Sequence, residues 1–127
     1  MSDLPLILII DDNERNRKLA RDVLRAARFR TLEAATAAEG IALASEHLPD
    51  VVLMDLRLPD ADGTDAVRTL RAEPRTSRLP IVAMTALPLD GRDDWLFDAG
   101  FAGYIVKPID VDELPDVVRR FSVRGSG

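Results

Sequence analysis

The run Val51-Val-Leu-Met-Asp-Leu-Arg-Leu-Pro-Asp-Ala-Asp-Gly63 places the tightest constraint on how this chain can fold. Val51 to Met54 is apolar at every position and does not alternate, as in a strand covered on both faces by helix layers in a parallel sheet. Leu4 to Ile10 and Leu79 to Met84 read the same way. Each run stops at polar side chains: Asp11-Asp12-Asn13 after the first, Asp55 after the second and Thr85 after the third. Helices must therefore cover both sides of these strands, and the segments between the runs have to supply them.

A helical pattern begins at Asn13, with Leu19, Ala20, Val23, Leu24 and Ala27 on one face and Glu14, Arg15, Lys18, Arg21 and Asp22 elsewhere. Phe29 to Ala34 is a short mixed strand suited to a sheet edge. Thr36-Ala-Ala-Glu39 has capping-box spacing and opens a second helix that ends near His47 and Pro49. A third helix spans Thr64 to Ala72 and is stopped by Pro74. After the loop Ala86 to Gly91, which contains Pro88, Asp90 is placed to cap a fourth helix through about Ala99, with Gly100 just past its end and Trp95 as a packing residue on it. Phe101 to Lys107 forms the last strand and ends on Lys107-Pro108. A fifth helix runs from Asp110 or Asp112 to Phe121, Pro115 favouring the later start, and 122–127 forms a tail.

Five strands alternating with five helices specify a doubly wound α/β fold with right-handed crossovers. At 127 residues this is one domain over 1–127, with a core from about 4 to 121. The absence of cysteine removes disulfides, thiolate metal sites and cysteine nucleophiles, and a single histidine removes sites built on several imidazoles. A net charge of −5 argues against general nucleic-acid binding, and the small cluster Arg119, Arg120 and Arg124 reads as a solvated helix end. No apolar run approaches the roughly 20 residues of a membrane helix, and the N-terminus offers no signal core, so a cytoplasmic location is expected.

In such sheets chemistry sits outside the carboxyl ends of the strands. Asp55 alone has two readings there: a reactive carboxylate, or an acid that hydrogen-bonds its own turn. The other strand ends add weight to the first. Asp11 and Asp12, Asp55, Thr85 and Lys107 fall on one edge, and three carboxylates there call for a cation. Without thiolates or multiple imidazoles the fitting ion is hard and oxygen-seeking, Mg²⁺, which commonly keeps waters and takes a phosphate oxygen. Lys107 and the ion would neutralise a phosphoryl group in transfer, Thr85 would hydrogen-bond it, and Asp55 would be the nucleophile that forms an acyl phosphate.

The motifs Ile9-Ile-Asp-Asp-Asn13, Pro49-Asp-Val-Val-Leu-Met-Asp-Leu-Arg-Leu-Pro59 with Gly63, Ile81-Val-Ala-Met-Thr-Ala86 and Gly103-Tyr-Ile-Val-Lys-Pro-Ile109 resemble those of response-regulator receiver domains of two-component signalling, from Leu6 to about Phe121. The resemblance implies a flavodoxin-like strand order 2-1-3-4-5 and a cis Lys107–Pro108 bond. It implies Asp55 as phosphoacceptor, Asp12 and Asp55 as direct Mg²⁺ ligands, Asp11 as a ligand through water, and the Arg57 carbonyl as a backbone ligand. Thr85 and Tyr104 correspond to a switch pair, and output through the face of the fourth helix, fifth strand and fifth helix is expected. Expected partners are a histidine kinase or histidine phosphotransfer protein and a downstream protein target, with no direct nucleic acid and no membrane. The expected state is a stand-alone monomer or weak phosphorylation-dependent dimer, whose only catalysis is its own phosphorylation and dephosphorylation. Ala61 departs from the larger apolar residue common in the family. Arg57 and Leu87, two beyond Asp55 and Thr85, offer neither base nor acceptor to an attacking water, and slow self-dephosphorylation is expected. Alternatives are a receiver piece of a larger kinase or transcription factor, and an aspartate-dependent phosphatase. The phosphatase reading normally requires an acid where Arg57 stands. A flavin or nucleotide carrier would require glycines where Asp11 and Asp12 stand.

Overall fold

A strand buried on both faces must have its backbone groups paired on both edges. The strand Val51–Asp55 (β3) meets that demand by lying between Leu6–Ile10 (β1) and Ile81–Thr85 (β4), all parallel. Arg30–Ala34 (β2) pairs with β1 at one edge and Gly103–Val106 (β5) with β4 at the other, so the order is β2-β1-β3-β4-β5, as the resemblance implied. This computed structural model describes residues 4–86, 89 and 91–122. Among them no helix is long and apolar enough to cross a membrane.

The helices are Glu14–Ala26 (α1), Ala37–His47 (α2), Gly63–Ala72 (α3), Asp94–Ala99 (α4) and Leu114–Phe121 (α5). Successive strand residues serve opposite cores. Leu8, Ile10, Val52, Met54 and Ala83 face α2, α3 and α4, through Ala44, Leu70 and Leu96 among others. Ile7, Ile9, Val51, Leu53 and Met84 face Ala20 and Leu24 of α1 and Leu114 and Val118 of α5. Because both faces are apolar, hydrophobic pattern alone would tolerate a one-residue slip that exchanges them. The acids at the strand ends remove that freedom, since a slip would draw Asp11 or Asp55 into the sheet interior without hydrogen-bond partners. In the observed register Ile10 lies opposite Met54, Asp55 opposite Met84 and Thr85 opposite Val106. The polar residues therefore leave the sheet at one level.

Local signals account for most boundaries. The Asn13 side chain accepts from the Asn16 amide and Thr36 from the Glu39 amide, capping α1 and α2. Pro115 sits in the first turn of α5, which begins at Leu114, later than either expected start because 111–113 form a turn. Three expectations are corrected. The fourth helix is only six residues long and begins at Asp94, after a turn in which the Arg92 amide bonds the Leu89 carbonyl. Leu87, Pro88, the proposed cap Asp90, Arg124 and the expected tail beyond Ser122 lie outside the described residues. Leu19 is 40% exposed, because α1 buries a narrow stripe through Ala20 and Leu24 that excludes the residue one position earlier. Trp95 is 45% exposed and is not a core residue; its neighbour Leu96 fills the interior position.

Candidate functional site

β1 ends at Ile10 and β3 at Asp55, and their register sets Asp11 level with Asp55 at the carboxyl edge. Asp11 is almost fully buried and Asp55 nearly so, whereas Asp12 is exposed. One carboxylate oxygen from each of the three lies within 4.8 Å of the others. Each buried acid splits its two oxygens between its own turn and a common cation. Asp11 Oδ1 accepts from the Asn13 amide at 2.9 Å and Asp55 Oδ1 from the Arg57 amide at 3.0 Å. Lys107 Nζ then donates to Asp11 Oδ2 and Asp55 Oδ2, both at 2.9 Å. Asp55 thus bonds its own turn with one oxygen and faces the cluster with the other.

Lys107 reaches these oxygens because β5 pairs with β4, its own amide bonding the Thr85 carbonyl at 2.7 Å. The Lys107–Pro108 peptide bond is cis, as expected. Burial raises the pKa of the Asp55 carboxyl, against the pull of the Arg57 amide and of Lys107. Burial also works against the charge on Lys107, but hydrogen bonds to Asp55 and Asp11 outweigh it and hold the ammonium above its ordinary value. Three carboxylates against one ammonium leave an excess of negative charge. The donors are all oxygen, and Asp12 contributes an exposed carboxylate, so the set fits a hard divalent ion such as Mg²⁺ and not a thiophilic one.

Beside the acids is a cavity of about 250 Å³ lined by Asp12, Asp55, Leu56, Arg57, Thr85, Ala86 and Lys107. The loop that forms one wall is folded tightly. The Gly63 amide donates to the Leu56 carbonyl at 2.8 Å, and a Cβ on Gly63 would come within 2.8 Å of the Asp55 carbonyl oxygen. Only glycine allows that approach. The structure therefore brings together Asp11, Asp12, Asp55, Thr85, Lys107 and Arg57. Tyr104 does not line the cavity; the charge of nearby Asp93 raises the pKa of its phenol. His47 lies at the C-terminal end of α2, and α2 leads into the opposite, amino end of β3.

Sequence reasoning missed three contributors. Arg17 donates to the Asp11 carbonyl at 2.7 Å, Asp60 accepts from the Ala37 and Ala38 amides at 2.8 and 3.0 Å, and Asp93 places its charge near the Tyr104 phenol. The Asp60 contact joins residues more than twenty positions apart, so only the fold reveals it.

The family profile described as response regulator receiver domain matches residues 7–119. The polar-differentiation response regulator DivK of Brucella ovis is 32% identical over 115 residues, covering 91% of this chain and 94% of its own. The receiver domain of the sensor histidine kinase PA1611 of Pseudomonas aeruginosa, solved with a magnesium ion coordinated in its active-site cleft, is 33% identical. It covers 93% of this chain and 97% of that one, with a TM-score of 0.84. The chemotaxis response regulator CheY4 of Vibrio cholerae superposes with a TM-score of 0.87 over 93% and 98% of the two chains, at 24% identity, a likeness of fold.

Proposed function

Since the chain belongs to the response regulator receiver domain family, we propose that Asp55 takes a phosphoryl group from a phosphohistidine donor and that the protein is a phosphoacceptor switch. The observation that carries this reading is the convergence of Asp11, Asp12, Asp55 and Lys107 beside one cavity at the carboxyl edge of the sheet. The donor is a histidine kinase or histidine phosphotransfer protein, and the readout is the binding of a downstream protein. The reading carries a cytoplasmic location and a monomer or weak phosphorylation-dependent dimer.

In the transfer, the P–N bond to the donor imidazole breaks as a P–O bond forms to a carboxylate oxygen of Asp55, and the imidazole leaves with the electron pair. Asp55 is held for attack by the Arg57 amide on Oδ1 and the Lys107 ammonium on Oδ2, which fixes the carboxylate plane before the donor arrives. The same ammonium stands where charge on the phosphoryl oxygens has to be met, and Thr85 supplies a hydroxyl at the cavity wall. Asp11, Asp12, Asp55 and the Arg57 carbonyl would hold Mg²⁺. When bound, the ion offsets the negative charge of the carboxylates and of the incoming phosphoryl group. Catalysis is confined to the protein's own phosphorylation and dephosphorylation.

Output follows as a population shift in which Thr85 is drawn to the phosphoryl group and Tyr104 moves inward, changing the face made by α4, β5 and α5. Incubation with a phosphorylated histidine kinase and Mg²⁺ should label the wild type and leave Asp55→Asn unlabelled. Undiminished label on that variant, or label on His47, contradicts the assignment.

A further inference from the structure

Asp12 is the exposed member of the acid cluster, and among the described residues its carboxylate makes no hydrogen bond or ion pair. Its aim is therefore set by the backbone that carries it. The Asp11 carbonyl and the Asp12 amide belong to one planar peptide unit, so whatever holds that carbonyl fixes the plane from which the Asp12 side chain departs. Arg17 holds it, with Nη1 donating to the Asp11 carbonyl at 2.7 Å. Arg17 is itself kept in place. It lies one turn into α1, its amide donating to the Asn13 carbonyl at 3.0 Å, and its Nε faces Glu33 of β2 at 3.5 Å, the side chain being 18% exposed. Glu33 stands opposite Ile9 of β1, two residues before Asp11, and also pairs with Arg21 at 3.3 Å. One acid thus faces two guanidiniums, and of the two Arg17 goes on to the backbone of the cluster.

We infer that Arg17 is a positioning residue for the divalent ion: by fixing the peptide plane between Asp11 and Asp12 it aims the Asp12 carboxylate at the cluster before the ion arrives. Two effects of Arg17 on the ion have opposite signs. Its charge, offset in part by Glu33, repels a cation, so by charge alone its removal would tighten Mg²⁺ binding. Its hydrogen bond holds a ligand in place, so the loss of that bond leaves Asp12 to be ordered at the moment of binding and weakens it. The direction of the change separates the two. The inference rests on the reading of the site as a Mg²⁺-assisted phosphoacceptor and adds the residue that aims one of the ligands.

The test compares the wild type with Arg17→Met and Arg17→Gln, and with Arg21→Met, which removes the same charge and a pairing with the same Glu33 but no bond to the Asp11 carbonyl. Circular dichroism checks folding, and the glutamine variant serves if the methionine variant does not fold. Mg²⁺ alone is titrated calorimetrically into the unphosphorylated proteins. The expected result is a Kd raised roughly tenfold in the Arg17 variants, the usual cost of removing a group that orients a ligand, and left near the wild-type value in Arg21→Met. With acetyl phosphate as donor, the Mg²⁺ concentration for half-maximal labelling should rise by the same factor, while the rate at saturating Mg²⁺ stays near that of the wild type. An unchanged or lowered Kd in the Arg17 variants, an equal rise in Arg21→Met, or slower labelling at saturating Mg²⁺ with an unchanged Kd overturns the inference. Failure of both Arg17 variants to fold overturns it as well, by making the bond an anchor of the fold. Weakened Mg²⁺ binding in a protein that acetyl phosphate never labels supports the positioning role while contradicting the phosphoacceptor reading, so the two fail separately.

Discussion

Asp60 and Arg57 stand on the loop beside the acid cluster and act through different chemistry. The Asp60 carboxylate accepts from the Ala37 and Ala38 amides, and these hydrogen bonds hold its pKa below the ordinary value of 3.8. A carboxylate whose folded pKa is depressed stabilises the fold above its unfolded pKa, and that stability is lost as pH falls through the lower folded value. The wild type should therefore melt above Asp60→Asn near neutral pH, with the gap closing as acid is added below the ordinary carboxylate range. A gap independent of pH would show that the ionised form is not what matters. Arg57 is exposed at the cavity mouth and presents no base or acceptor to water there. Arg57→Asn should shorten the half-life of phosphorylated Asp55, by about tenfold if roughly 1.4 kcal/mol of barrier is removed. Following the decay of the acyl phosphate in both proteins decides this, and an unchanged or longer half-life contradicts it.

At the scale of elements, α4 is the least self-sufficient helix. It has six residues and no side-chain hydrogen bond at its N-cap, Asp93, so its position depends on its neighbours. Its C-terminal end is anchored from α3, where the half-buried Arg71 guanidinium donates to the Gly100 carbonyl at 3.0 and 2.8 Å and to the Ser77 carbonyl at 3.0 Å. Arg71→Met should cost about 2 kcal/mol, because the carbonyls lose a charged donor. Amide exchange should quicken in α4 while β1 and β3 keep their protection, and uniform quickening would argue against a local anchor. These contacts also explain what the sequence could not reveal. β1, β3 and β4 were legible because their apolar runs end on polar residues, and α1 and α2 because Asn13 and Thr36 are local caps. The start of α4 and the exposure of Trp95 were not legible. They depend on which side of a short helix meets α3 and on Arg71, nearly thirty residues before Gly100.

At the scale of the molecule, the sheet brings residues from three strand ends into one charged site, so stability and ligand binding are linked. An ion that binds only the folded cluster stabilises it by mass action, about 2.7 kcal/mol at a concentration one hundred times its Kd. Thermal melts of the unphosphorylated protein should therefore shift upward with Mg²⁺, and Asp12→Asn should remove most of the shift. An equal shift in the variant would place the ion elsewhere. The acids and Lys107 of this site were legible in the sequence because each ends its apolar run or follows within two residues of it, whereas the tie from Asp60 to α2 required the fold. The central claim is that Asp55 carries the phosphoryl group, and direct chemical mapping tests it most closely. After incubation with acetyl phosphate and Mg²⁺, borohydride reduction should convert the phosphorylated aspartate to homoserine, read by peptide mass spectrometry. Homoserine at position 55, formed only with Mg²⁺, is the predicted result; conversion at another acid, or none at Asp55 while the protein is labelled, would contradict the account.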